Sequence, residues 1–357
     1  MTDPTLLDLP FDVLRDRMVS LGQPTYRAQQ VWQAVYRDLT SSYEEMSTLP
    51  IHLRIQMAEL LPMGLPIVER SQQSSDHRTR KLLLRLADDE AIEVVSMDYD
   101  NRRTACISTQ AGCAMNCRIC ATGRSGFRRN LSVGEIVGQV LHAARICEED
   151  GQRLTHVVYM GMGEPFANYD ATIQSIRALN DARGFGLGAR SFTVSTVGIV
   201  PGIERFAEEM FQVNLAVSLH AANDELRTRL VPINETYPLA TLLSACETYI
   251  ARTNRRITFE IALVAGVNDS LTCAHETVER LRGLLCHVNL IPFNPIAGLP
   301  WNRSPSETVA QFSDILRKAG IPVTVRVRRG IEIEAGCGQL RARALEETHG
   351  GSHTQDA

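Results

Sequence analysis

From Thr104 onward the chain alternates between short apolar runs and amphipathic stretches, and no other feature limits its possible folds as much. The runs 104-TACIS, 155-THVVYM, 191-SFTVS, 213-VNLAVSL, 257-ITFEIALV and 287-HVNLIPF have strand length, and 322-PVTVRV adds one more. Helical patterns fill the gaps. One begins at Ser132, where Glu135 three residues on makes a capping box ahead of Ile136, Val137, Val140 and Leu141. Others fall near 169–183, 200–210, 238–252, 270–283 and 305–319. Strand–helix alternation implies right-handed βαβ units and a parallel sheet. Six such units can curl into a barrel, so the expected fold class is α/β, with the core spanning residues 99–345. Barrel enzymes assemble their sites at the C-terminal ends of the strands.

The remainder is organised differently. Residues 1–65 carry helical spacing, in 6-LLDLPFDVLRDRM, in 26-YRAQQVWQAVY and over Met46–Leu60, entered near Leu49-Pro50. The prolines of 61-LPMGLP mark a boundary. Residues 66–98 then become strand-like, with KLLLRL and AIEVVSM flanking the polar turn ADDE as a hairpin. The last residues, 346–357, are expected to be disordered. There is no run of eighteen apolar residues and no signal-peptide pattern. The expectation is a soluble, cytoplasmic protein with no membrane partner.

Net charge is −4 over 357 residues, which does not point to a nucleic-acid binder. The local distribution is different. Arg102, Arg103, Arg118, Arg124, Arg128 and Arg129 fall in a stretch without an acidic residue, and Arg326, Arg328, Arg329, Arg341 and Arg343 flank a late cysteine, Cys337. Arginine suits phosphate contacts. The first 65 residues are not basic, with five Arg, no Lys and eight acidic residues.

The nine cysteines are an odd number in a chain without secretory features, so metal or catalytic use outranks a disulfide scaffold. Cys113, Cys117 and Cys120 form a C-x3-C-x2-C group after the first barrel strand. Three close thiolates can hold three irons of a cubane and leave a fourth open to a substrate. A zinc knuckle is the alternative, but it normally needs four ligands, and the nearest candidate, His142, lies inside a predicted helix.

C-x3-C-x2-C resembles the signature of the radical S-adenosylmethionine (SAM) superfamily. The stretch 161-GMGEP, at the end of the second strand, is similar to the segment with which those enzymes hold the SAM amino group. From about Tyr26 to Leu340 the chain resembles the RlmN/Cfr family of 23S rRNA adenine methyltransferases. The segments that carry this are YRAQQVW, 106-CISTQAGCAMNCRICATG, GMGEPFANYD, 195-STVGIVPGI, 215-LAVSLHAAND, 231-VPINETYPL, 256-RITFEIALVAGVND, 288-VNLIPFNP and 337-CGQLR. The resemblance implies a radical SAM partial (β/α)6 barrel with an N-terminal helical, RNA-binding accessory domain and a hairpin linker.

It also implies residue roles. Cys113, Cys117 and Cys120 become ligands of one [4Fe–4S] cluster. Gly163, Glu164, Ser195, Ser218, Leu219, His220 and Asn294 become SAM contacts. Cys337 becomes a methyl carrier, Cys106 its transient disulfide partner and Glu93 a proton acceptor; the hairpin context alone makes Glu93 a solvated acid. Gly336 and Gly338 beside Cys337 suit a flexible loop more than a packed strand.

Carbon 2 of adenine is electrophilic, so direct displacement from SAM cannot methylate it. The family route passes the methyl to a thiolate first, then uses a radical derived from a second SAM to transfer it. The implied substrates are 23S rRNA and the tRNA anticodon loop, 3′ of the anticodon. The implied electron donor is flavodoxin or ferredoxin, and the expected state is a monomer. Three readings compete: a Cfr-like carbon-8 methyltransferase, another radical SAM reaction such as peptide modification, and a metal-stabilised RNA-binding module. The chain departs from the family pattern at 76-DHRTRK, 335-AG and 106-CISTQ.

Overall fold

In the computed structural model, which describes residues 4–209, 211–326 and 330–340, each of the seven apolar runs forms a strand. They are β4 (Arg102–Cys106), β7 (His156–Tyr159), β8 (Phe192–Thr196), β9 (Asn214–Ser218), β10 (Ile257–Leu263), β11 (Cys286–Pro292) and β12 (Val323–Val325). All pair in parallel with their neighbours, in chain order. The helices returning the chain are α5 (Val133–Glu149), α6 (Tyr169–Asn180), α7 (Val200–Phe206), α9 (Leu239–Thr253), α10 (Leu271–Leu281) and α11 (Ser306–Lys318). The anticipated capping box closes at the start of α5, where Ser132 Oγ accepts from the Glu135 amide at 3.2 Å and Glu135 accepts back from Ser132 N at 2.9 Å. The α/β, partial-barrel fold class is borne out. A short helix not anticipated, α8 (Asp224–Leu230), follows β9 and is capped by Asn223.

The hairpin is continuous with the barrel sheet. β1 (Ile67–Gln73), β2 (Thr79–Arg85) and β3 (Ala91–Tyr99) are antiparallel, and β3 pairs antiparallel with β4, so among the described residues the main sheet has ten strands. Antiparallel partners share a face. Val95 lies opposite Cys106, which puts Glu93, Val95 and Met97 on the Cys106 face. A second, two-stranded sheet of β5 (Gln110–Gly112) and β6 (Phe127–Asn130) brackets the cysteine loop and the one-turn helix α4 (Ala121–Arg124).

The first helices, α1 (Phe11–Ser20), α2 (Tyr26–Tyr36) and α3 (Ile51–Leu60), pack around Leu14, Met18, Trp32, Leu53 and Met57. The third is entered at Pro50, as expected, and residues 46–49 stay outside it. Pro50 occupies the cap position, where its missing N–H costs nothing, and disfavours helix at Leu49. This unit docks on the barrel through α5: Asp8 Oδ1 accepts from Gly134 N at 2.7 Å, and Arg145 donates to the carbonyls of Leu39 and Thr40. Among the described residues no helix is long and apolar enough to cross a membrane. The 346–357 tail lies outside the described residues.

Candidate active site

The cysteine loop is shaped by backbone that only glycine tolerates. Gly112, at φ +75°, lies so near Gly126 that a Cβ would sit 2.0 Å from its carbonyl oxygen. Cys113 N donates to that same oxygen at 2.9 Å, closing the loop at its neck. Cys113, Cys117 and Cys120 all line one cavity at the C-terminal ends of the strands. Burial is the largest influence on two of these thiols, and repulsion from Cys120 adds to it. Cys113 is pushed up to about 12 and Cys117 well above the usual range. Among the described residues, no three His, Cys, Asp or Glu side chains converge closely enough to hold a single metal ion. His142 is engaged elsewhere, with Nε2 2.8 Å from the Pro66 carbonyl. A donor set of three thiols around one cavity suits an iron–sulfur cluster, whose protein ligands are cysteine thiolates.

The same cavity is lined by Gly163, Glu164, Ser195, Ser218, His220, Asn294 and Cys337. Gly163 adopts φ +99°, and a Cβ there would come within 2.6 Å of Gln110. Gln110 holds this turn from below, accepting from Glu164 N at 2.9 Å. Glu164 is buried; Oε1 accepts from Phe166 N at 3.0 Å and Oε2 from Val197 N at 2.8 Å, which ties the β7 and β8 loops together. Burial raises its carboxyl to about 7. His220 sits at φ +59° and accepts at Nδ1 from Ala262 N at 3.1 Å. Burial, then the nearby Arg227 charge, lowers it to about 3, so it is a neutral imidazole. Asn294 donates to the Cys337 carbonyl at 3.2 Å, while its Oδ1 is buried with no hydrogen-bond partner among the described residues. An unsatisfied buried acceptor in a cavity wall is the kind of group a cofactor completes. Leu219 does not line the cavity; its side chain is in the main core.

A second cavity adjoins the first and shares Cys120, Met160, Asn294, Arg326 and Cys337 with it. Cys106 lines only this second cavity. Burial, then the neighbouring Cys337, pushes Cys106 up to about 12. Burial also raises Cys337, and Arg326 opposes this. The Cys337 loop is packed, contrary to the flexible loop its glycines suggested. A Cβ on Gly336 would meet Asn294 Nδ2 and Gln339 Oε1 at 2.6 Å, and one on Gly338 would lie 3.0 Å from the Ile119 carbonyl oxygen. Ala121 N donates to Gly338 O at 2.7 Å and Thr122 Oγ1 to Leu340 O at 2.6 Å, joining this loop to α4 and the cysteine loop. The glycines serve close approach.

Glu93 is buried, not solvated as its hairpin context implied; its Oε1 lies 3.0 Å from Lys81 Nζ. It lines neither cavity but stands on the Cys106 face of the sheet. The basic stretch is also less cationic than its sequence. Arg103 pairs with Asp98, Arg128 with Glu90, and Arg129 with Asp88 and Glu135, acids that the folded hairpin and α5 bring to them. Arg326 faces the two thiols and Glu260 from within the barrel lumen, not from the outer surface. Arg328, Arg329, Arg341 and Arg343 lie outside the described residues.

Two residues that composition and spacing did not single out hold the rim. Gln139, fully buried on α5, accepts from Ser108 N at 2.7 Å and donates to Ser108 O at 2.9 Å. Arg227, also fully buried, donates to the carbonyls of Val197, Ser218 and Leu219 and to Asn234 Oδ1. The only sequence signal for Gln139 was a lone polar residue in the apolar run of a helix, and Arg227, in the polar stretch DELRTRL, had none. Arg227→Ala would leave those rim carbonyls unpaired beside a void, at a cost of about 3–5 kcal/mol. Denaturant unfolding reads this directly, and a loss below about 0.5 kcal/mol would mean the clamp is idle.

Two family models match the chain. Residues 107–274 match the radical SAM superfamily, and residues 5–62 match the ribosomal RNA large subunit methyltransferase N-terminal domain. The chain is 47% identical to a probable dual-specificity RNA methyltransferase RlmN of Chloroflexus aurantiacus, over 96% of this chain and 94% of the relative. It is 46% identical to the dual-specificity RNA methyltransferase RlmN 1 of Myxococcus xanthus, over 96% and 95%. The crystal structure of a radical SAM methyltransferase from Sphaerobacter thermophilus superposes with a TM-score of 0.94 at 50% identity, over 95% of this chain and 99% of that one.

Proposed function

Because the chain belongs to the RlmN family of radical SAM RNA methyltransferases, with a [4Fe–4S] cluster and SAM as the family's cofactors, we propose that it methylates carbon 2 of adenosine in 23S rRNA and in the tRNA anticodon loop. The observation that carries this reading is the position of Cys337, in the wall common to the two cavities. One side faces the three cysteines and the strand-end polar groups, and the other faces Cys106.

Cys113, Cys117 and Cys120 are the residues that would hold one cluster per chain. Gly163, Glu164, Ser195, Ser218, His220, Asn294 and the buried backbone at Leu219 would hold SAM. Bound there, these groups supply a methyl donor and, on reduction by a flavodoxin- or ferredoxin-type donor, a carbon radical. The residues of the chain do the rest. Cys337 accepts the methyl as a thiolate, favoured by the Arg326 guanidinium against the cost of burial. Cys106 faces the other cavity alone and does not compete for that methyl. Its later attack on the Cys337 sulfur forms the S–S bond as the sulfur–carbon bond to the base breaks; the departing carbon takes a proton from solvent, the one electron left by radical addition returns to the electron-transfer protein, and an external reductant restores both thiols. Glu93, on the Cys106 face, takes the ring proton; its ion pair with Lys81 holds the carboxylate in place until then. The protein acts as a monomer.

Nucleoside mass spectrometry of rRNA and tRNA treated with the reconstituted enzyme tests the reading. The expected product is 2-methyladenosine. 8-Methyladenosine would assign the Cfr-like reaction, and no methylated adenosine would refute both.

Glu164 adds a pH dependence. A carboxyl raised to about 7 is half protonated near neutrality, and a ligand that needs it ionised must first remove that proton. SAM binding should therefore weaken as pH falls below about 7, by up to about tenfold per unit. Glu164→Gln should remove this acid limb as well as weaken binding. An unchanged limb in the variant would place the titrating group elsewhere. The linkage to stability has the opposite sense. The folded carboxyl sits above its unfolded value, so its contribution is full in acid and is lost as pH rises through about 7.

A further inference from the structure

The barrel lumen has a second opening, at the end where the parallel strands begin. The register aligns inward positions in pairs there: Thr104 with His156, Thr193 with Asn214, Thr258 with His287, and Asn289 with Thr324. All are polar, and all line this opening. A lumen filled as a core would carry branched apolar residues at such positions. This one is built to be wet.

Four arginines stand around it: Arg102 at the start of β4, Arg190 just before β8, and Arg255 and Arg256 just before β10. Among the described residues none of the four forms an ion pair with a carboxylate. Arg102 stacks over Tyr99 at 4.5 Å. Arg190 donates to Gln212 Oε1 at 2.7 Å and Arg255 to Asn214 Oδ1 at 2.8 Å, both neutral partners. Arg255 Nε is buried with no partner among the described residues. Arginines on the nearby outer surface are paired, as in Arg177–Glu209 and Arg252–Glu208. The acid that lines the opening, Glu260, lies deep in the lumen, where it accepts from Asn289 at 2.8 Å. The cationic field is felt by the histidines. Burial, then Arg102, lowers His156, and burial, then Arg256, lowers His287. A patch of unpaired guanidiniums in a chain of net charge −4 asks for an anion.

The lumen is continuous with the chemistry. Met97, Tyr99, Met160 and Arg326 line both this opening and the cavity of Cys106 and Cys337. The opposite end is walled by the cysteine loop and the Cys337 loop.

We propose that the strand-start opening is the RNA entrance, where Arg102, Arg190, Arg255 and Arg256 bind backbone phosphodiesters while the target base reaches up the lumen to Cys337. The proposal rests on the chain acting on RNA. An unstacked base in a loop is what enzymes of base chemistry take into a pocket, and phosphate contacts fix its register. SAM and the base then approach Cys337 from opposite ends.

The test uses the full, reconstituted chain and a fluorescent tRNA anticodon stem-loop, with anisotropy measured across a salt series. The triple variant R190Q/R255Q/R256Q should bind at least about tenfold more weakly at low salt. Its log–log salt slope should be shallower by about 2–3, near 0.7–0.9 for each phosphate no longer neutralised. R190K/R255K/R256K should keep most of the affinity, which a misfolded protein would not. Native-like affinity and slope in the glutamine variant overturn the proposal. Micromolar tripolyphosphate binding that the variant loses, with RNA binding unaffected, assigns the site to a small phosphate compound and also overturns it. If the unaltered protein binds no RNA, the functional reading falls and this inference with it.

Discussion

Replacing Cys337 by alanine should abolish RNA methylation while leaving the cluster and SAM cleavage in place. The proposed cluster ligands and the strand-end polar groups lie on other segments, and among the described residues no other thiol outside the cysteine loop lines the cavity they share. Cys106 cannot substitute, since it faces only the second cavity. Two readouts separate the outcomes. Peptide mass over residues 335–340 should show a methyl group on native Cys337 and none in the variant. Release of 5′-deoxyadenosine under reductant should persist. RNA methylation by the variant would end the carrier role. Loss of iron would make the residue structural, an outcome worth measuring because the Ala121–Gly338 and Thr122–Leu340 hydrogen bonds join this loop to the cluster loop.

Cys106→Ala should stop the reaction one step later, with RNA covalently held on the protein. Once carbon joins base to Cys337 sulfur, release requires a second thiol to attack that sulfur. Outside the cysteine loop four cysteines remain: Cys147, Cys246 and Cys286 are buried, Cys273 is half-buried, and all four line neither cavity, so none can replace it. The adduct should be seen as a nuclease-sensitive shift in denaturing gels and should vanish in the Cys106→Ala, Cys337→Ala double variant. Normal turnover by the single variant would remove Cys106 from the mechanism.

Much of this site was legible in the sequence because strand ends are easy to find. The strands recur as short β-rich runs between helical stretches, so their C-terminal ends locate Ser195, Ser218, His220 and Asn294 without knowledge of side-chain direction. What was not legible depends on which face a residue takes and what lies across from it. Glu93 in a hairpin has the sequence of a surface acid; only the β2–β3–β4 register buries it beside Lys81. Arg103 and Arg129 sit in an acid-free stretch, but their partners arrive from Asp98, Asp88 and Glu135. Arg227 clamps carbonyls from two strands that precede it, a long-range arrangement with no local signature. The wet lumen did leave a trace. His287 and Asn289, like Thr258 and Glu260, alternate with apolar neighbours at strand period, and that alternation is the signal for a polar inner face.

The central claim is that the methyl group travels through Cys337 and loses a hydrogen on the way. Trideuteromethyl-SAM tests it most directly. The enzyme is first loaded at Cys337 with the labelled methyl, then turned over with RNA, and both products are weighed. The account predicts an adenine methyl that retains two deuterium atoms and a 5′-deoxyadenosine that has gained one. A methyl that arrives on the base with all three deuterium atoms, and an unlabelled 5′-deoxyadenosine, would contradict it.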